Sequence, residues 1–333
     1  MKNKTISVIR MISMLMIISC HILQGLDNRW AFWVNVGVQV FFVISGFLYG
    51  KKEIKDTKEF YIKKIQKILV PYIIIFIICL LLEKIILNNN YSLSLVTANL
   101  VGLGGLYGTI AILSHTWFVT YILGCYVIIP ILQKYFSSKK FVNNIIKLII
   151  LIISFELFEK LSGMNLNLCW INNFIIGYFY SRCCIDKKSR NIYELGVFIV
   201  FILIIPFAII YQENLNVTLP SIMNSNSNII IQYGHIFLGT VLFIALYKIL
   251  NKIKIKEKHI LSFSDKYSYY IYLVHQIFIL NYFSVLFLTK NMIVNIILIF
   301  ILSFISGIIL KIINDFILKT INKVIFLIKK VKL

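Results

Sequence analysis

Ten stretches of this chain, near 6–24, 31–50, 68–87, 116–133, 144–162, 168–182, 192–211, 231–250, 268–288 and 291–313, are apolar runs suited to crossing a bilayer. Roughly 30 Å of hydrocarbon needs about 20 such residues as a helix. No other feature restricts the fold so severely, because backbone inside lipid must satisfy its own hydrogen bonds. The sequence therefore predicts an all-α polytopic membrane helix bundle of about ten transmembrane helices. Composition agrees, since 59% of the 333 residues are hydrophobic and only 14% are charged, too little polar surface to coat a water-soluble globule.

The basic residues set the orientation. With the N-terminus in the cytoplasm, the inner segments hold 30 of the 34 Lys and Arg residues, leaving Arg29, Lys84, Lys160 and Lys290 outside. Both termini are then expected in the cytoplasm. The stretch 92–113 is also apolar, but Gly102, Gly104, Gly105 and Gly108 weaken it as a helix, and a crossing there would scatter the later basic loops over both sides. It is expected as an outer re-entrant or interfacial segment. The outer loop at 212–230 is polar and nearly uncharged, whereas the inner loops at 51–64 and 251–259 are rich in lysine.

A net charge of +21 could suggest nucleic acid, but the lysines form short clusters between apolar runs rather than one basic domain. Membrane lipid is the expected partner, and no nucleic acid is. The six cysteines contain no CxxC pair and lie in or beside apolar runs, so they suggest neither a disulfide framework nor a metal site. The first apolar run starts like a signal peptide but lacks a small-residue cleavage site, and is expected to be retained as a span. No repeat of 20 to 50 residues is found. The organisation expected is one transmembrane domain at 1–313 and a cytoplasmic amphipathic tail at 314–333.

Few ionisable groups fall inside the runs, and such groups are costly in lipid and usually face a cavity. Arg10 and His21 are eleven residues apart, about 1100° of helical rotation, so one stripe of the first helix carries both. The alternative is Arg10 reaching inner phosphates and His21 at an interface. The second run holds Ser45 and Gly46 side by side, where small residues favour close helix packing. Lys63, Lys64 and Lys67 precede the third run, fitting either anionic lipid or the phosphates of an incoming donor. His115 and Trp117 open the fourth run at the outer face, where an aromatic belt explains Trp117 but not His115. Tyr272 and His275 lie one turn apart in the ninth run. Glu156 and Glu159 could support a site, whereas Glu83, Asp27 and Glu213 are expected simply to meet water. His235 has no recognisable partner, and His259 belongs to a basic loop. No HExxH, Walker loop or GxSxG elbow occurs.

Taken in order, Arg10 with His21, then FFVISGF, YIKKIQKILVPY, HTWFVTYILGCYVIIP and YSYYIYLVHQIF, this pattern resembles acyltransferase family 3, the integral membrane acyltransferases. The resemblance runs from residue 6 to about 280. It implies a ten-helix enzyme that takes an acyl group, typically from acetyl-CoA in the cytoplasm, to hydroxyls of sugars or other acceptors, often cell-surface polysaccharide. It implies functional roles for Arg10 and His21. The family usually carries arginines where this chain has Lys63, Lys64 and Lys67, and lysine binds phosphate as a point charge without the bidentate fork.

The expected mechanism places donor phosphates on Lys63, Lys64, Lys67 and Arg10, with His21 acting as base on the acceptor hydroxyl. His115 and Trp117 lie toward the acceptor, and Ser45, Tyr272 and His275 toward the donor. No tightly bound cofactor and no metal is expected; acetyl-CoA or another acyl-CoA is a substrate, and the plasma membrane is the expected location. The alternatives are a polytopic transporter or flippase, or a non-catalytic partner in polysaccharide export.

Overall fold

The computed structural model describes residues 4–138, 140–163, 166–215, 223, 227–253, 255 and 259–331. The chain forms α1 (Lys4–Gly25), α2 (Ala31–Val34), α3 (Val36–Gly50) and α4 (Thr57–Lys64), which passes through a π-helical turn (Ile65–Leu69) into α5 (Val70–Leu87). Two short helices, α6 (Leu93–Leu100) and α7 (Gly104–Tyr107), and a 3-10 turn (Ala111–Thr116) lead to α8 (Trp117–Tyr135). Next come α9 (Phe141–Ser162), α10 (Cys169–Cys183), α11 (Lys187–Gln212), α12 (Ser227–Lys252) and α13 (His259–Val274). A second 3-10 turn (His275–Phe278) and α14 (Met292–Val331) complete it. No strand occurs among the described residues.

Eight of these helical stretches are long and apolar enough to cross a membrane. The other two expected runs are shorter. The run at 168–182 is the 15-residue α10, and the run at 268–288 is not one helix, because α13 stops at Val274 and gives way to 3-10 geometry. Residues 92–113 are broken into pieces, as their glycines predict, and Gly102 (φ +81°) and Gly108 (φ +101°) adopt backbone angles that other residues rarely tolerate. The tail expected to begin at 314 has no helical boundary there, since α14 continues to Val331.

The array divides into two compact units. Unit 1 comprises Met1–Cys20, Arg29–Lys55 and Val127–Ser262. At its centre α3 and α10 meet backbone to backbone. A Cβ on Gly46 would collide with the Phe174 carbonyl, one on Gly50 with the Tyr178 carbonyl, and one on Gly177 with the Val43 carbonyl. Lipid tails are as apolar as leucine, so helices in a bilayer associate by this kind of close packing rather than by escaping water. Isoleucines and leucines of α9 and α11, such as Ile149, Ile153, Leu195 and Leu203, stay exposed on the outside.

Unit 2 comprises His21–Asn28, Asp56–Tyr126 and Phe263–Leu333. Here α14 shows the polarity of a lipid-facing helix. Ile293, Ile297, Ile301, Ile305 and Ile309 are exposed at four-residue spacing, whereas Asn295, Ser303 and Asn314 are buried. The buried amides are used: Asn295 donates to the Leu286 and Thr289 carbonyls, and Asn314 to the Tyr270 hydroxyl.

Candidate active site

Three histidines distant in sequence meet in unit 2. His21 comes from near the C-terminal end of α1, His115 from the 3-10 turn before α8, and His275 from the first position of the turn after α13. Their ring centroids are 6.0 Å apart for His21 and His115, 5.1 Å for His21 and His275, and 4.9 Å for His115 and His275. His115 and His275 are buried, and His21 is half-buried.

Helix ends hold the rings in place. The last carbonyls of an α-helix lack partners within it. The Tyr272 carbonyl, near the end of α13, accepts from both His115 Nε2 at 2.8 Å and His275 Nδ1 at 2.7 Å. One oxygen serves both because a carbonyl has two lone pairs. His21 Nδ1 donates to Gln24 Oε1 at 2.7 Å. Each of these nitrogens faces an oxygen that only accepts, so each carries the hydrogen of its neutral ring. The lone pairs therefore sit on His21 Nε2, His115 Nδ1 and His275 Nε2. Among the described residues, the last two are buried with no hydrogen-bond partner. The described residues contain no set of three His, Cys, Asp or Glu groups arranged to hold a metal ion.

Further contacts fix the turn that carries His115. The Tyr272 hydroxyl donates to the His115 carbonyl at 2.6 Å, the His115 N–H donates to Gln276 Oε1 at 2.8 Å, and Gln276 Nε2 donates to Ser114 Oγ at 2.8 Å. At the other end of the turn is Glu83, which was expected at the water boundary but is fully buried. Its carboxylate accepts the Ile112 N–H at 2.8 Å and the Tyr91 hydroxyl. Tyr91 in turn accepts the Ala111 N–H at 3.2 Å. Burial and the Glu83 carboxylate push the Tyr91 phenol up, which keeps it a donor. Tyr72 donates to Asn99 Oδ1 at 2.7 Å, and Asn99 Nδ2 donates to the Leu95 and Gly108 carbonyls, closing the 92–110 excursion beside the site.

The lysines also belong to unit 2. Lys63 is exposed and pairs with Glu59, Lys64 lies 4.4 Å above the centroid of the Tyr126 ring, and Lys67 is exposed on the π-helical turn. Such turns shift the helical register and recur at functional sites. Tyr269 donates to the Ile68 carbonyl at 2.8 Å, tying this turn to α13, which leads into His275. Trp117 is half-buried, edge-on to Tyr121 at 5.8 Å.

Of the residues singled out in the sequence, His21, His115, His275 and Tyr272 thus form one cluster. His275 sits with His21 and His115 rather than apart from them on a donor side. Arg10 and Ser45 belong to unit 1. Arg10 is half-buried on α1, about 16 Å of helical rise from His21, and Ser45 is half-buried beside the Gly46 contact. Glu83, Gln276 and Asn99 were not read as site residues. The signal available for Glu83 was a lone carboxylate in an apolar run, and for Gln276 a polar neighbour of His275. His235, which showed no partner in the sequence, stacks on Trp33 at 5.3 Å between centroids. The side chain of His259 and much of the loops at 212–230 and 251–259 lie outside the described residues.

The family model described as "Acyltransferase domain", that of acyltransferase family 3, matches residues 3–312. No curated protein and no solved structure matches the chain. The matched region contains the whole histidine cluster, the lysine turn and all of the membrane-crossing helices except the end of α14. The chain belongs to acyltransferase family 3 and is a multi-pass membrane acyltransferase.

Proposed function

We propose that this protein transfers an acyl group, most simply acetyl, from a cytoplasmic acyl-CoA to a hydroxyl of a sugar in a cell-surface polysaccharide, and that it works in the plasma membrane with both termini inside. The observation that supports this reading is the position of His21. Its Nδ1 is committed to Gln24, so its Nε2 carries the lone pair beside two further imidazoles. A base of this kind matches acyl transfer to a hydroxyl.

In the proposed step, His21 Nε2 takes the acceptor proton as the hydroxyl oxygen attacks the thioester carbonyl carbon. The C–O bond forms, the C–S bond breaks, and the imidazolium returns the proton to the departing thiolate. The products are the ester and free thiol, with no covalent enzyme intermediate. His115 and His275 are held by one carbonyl, which fixes their orientation beside His21. Lys63, Lys64 and Lys67 supply positive charge for the donor phosphates, joined by Arg10 from the first helix. The test compares ester-linked acyl groups on surface glycans from wild-type, deletion and His21→Ala strains. Loss in both altered strains is expected, and equal acylation in all three removes this acceptor class.

A further inference from the structure

The largest polar cavity described is lined entirely by residues of unit 1, none of them His21, His115 or His275. It has a volume of about 580 Å³ and is lined by the start of α3, the end of α9 and the starts of α10 and α12. The orientation read from loop charge puts all of these ends on the outer side.

Two buried side chains line this cavity with unsatisfied atoms. Gln39 is 3% exposed and His235 4% exposed, and neither Gln39 Oε1 nor His235 Nε2 has a hydrogen-bond partner among the described residues. Leaving such atoms unpaired is expensive, so a resident with hydroxyls recovers what an apolar ligand would forfeit. The imidazole is fixed for the purpose. It stacks on Trp33 and meets the edge of Phe32 at 5.6 Å, and Trp33 donates its indole N–H to Glu213 at 2.8 Å. Trp170 adds an aromatic surface to the lining.

Charge narrows the ligand further. Glu156 and Glu159 line the cavity and are held in place, Glu156 by the Tyr233 hydroxyl at 2.6 Å and Glu159 by the N–H groups of Asn167 and Leu168 at 2.7 and 2.8 Å. Beside these two fixed carboxylates on α9, the exposed Lys160 is the one cation among the described residues of the lining. An anionic ligand would meet more repulsion than attraction here. Flat aromatic surface, an unpaired amide oxygen, an unpaired imidazole nitrogen and fixed carboxylates together suit a ring that is apolar on its faces and hydroxylated at its rim.

We infer that this cavity of unit 1 is a binding site for an uncharged saccharide, seated against Trp170 and hydrogen-bonded to Gln39 and His235. The inference deepens the proposed function by giving the acceptor a binding site, and it rests on that reading only for what the saccharide is there to do. It also separates neutral from acidic glycans as acceptors.

The test uses the full-length protein in lipid nanodiscs on an array of neutral and acidic oligosaccharides, without donor, with size-exclusion profiles confirming that each variant is folded. Neutral glycans should bind and acidic ones should not. Trp170→Ala and Gln39→Ala should each weaken binding by about tenfold, whereas Trp170→Phe and His21→Ala should retain it. Binding confined to acidic glycans, no binding at all, or binding unaffected by both Trp170→Ala and Gln39→Ala overturns the inference. Acyl transfer measured on the same preparations separates the two readings. Transfer without such binding sinks the cavity and spares the enzyme, and binding without transfer does the reverse.

Discussion

The centre of unit 1 and the histidine cluster of unit 2 use helical backbone in opposite ways. Between α3 and α10 the helices are regular, and glycines bring the two backbones into contact, with the Ser181 hydroxyl donating to the Phe47 carbonyl from one to the other. Around His115 and His275 the helices are interrupted, and carbonyls and N–H groups near the breaks are used to aim side chains. Close packing suits lipid, where it is the main attraction between helices. Broken helices are tolerated only where protein buries them. The difference indicates that one region supplies rigidity and the other spends regularity on positioning.

Variants can break this contrast. The largest effect is expected from His21→Ala, which removes the proposed base and should lower acyl transfer by about 10² to 10⁴-fold while leaving the purified protein monodisperse. A variant that transfers normally would remove His21 from the chemistry. Gly177→Leu should act the other way round, costing about 3 kcal/mol of stability by forcing α10 from α3, visible as early thermal unfolding in detergent; an unchanged melting curve would show that the close approach carries little energy. Glu83→Gln weakens charge-assisted bonds to the His115 turn and should cost about 2 kcal/mol, together with slower transfer, and stability loss alone would make Glu83 purely structural. Asn88→Gly is the smallest. Asn88 ends α5 with a left-handed φ of 53°, which glycine adopts freely, so stability should change by less than about 0.5 kcal/mol in a melting experiment.

The same contrast explains what could be read from the sequence. Apolar run length and glycine content located the long helices and the broken 92–113 segment, because both depend on local chemistry. His21, His115 and His275 stood out because ionisable groups are rare in lipid. Their meeting could not be read, since it depends on where α13 stops, and YIYLVHQIF carries no glycine or proline to announce the break at Val274. Glu83 was misplaced for a related reason. A carboxylate near a helix end normally meets water, and only the return of the chain at Tyr91 and Ala111–Ile112 buries it. His235 had no partner in sequence because Trp33 is some two hundred residues away.

One detail of the cluster bears on how the enzyme resets itself. Among the described residues the three imidazoles hydrogen-bond to the Gln24 amide and the Tyr272 carbonyl, and no carboxylate is bonded to any of them. A catalytic histidine braced by an acidic residue can hold its captured proton as a stable ion pair. Among the described residues no carboxylate is bonded to store that charge here. Under the proposed mechanism each proton lifted from an acceptor leaves with the thiol in the same turnover, so donor and acceptor have to be present together.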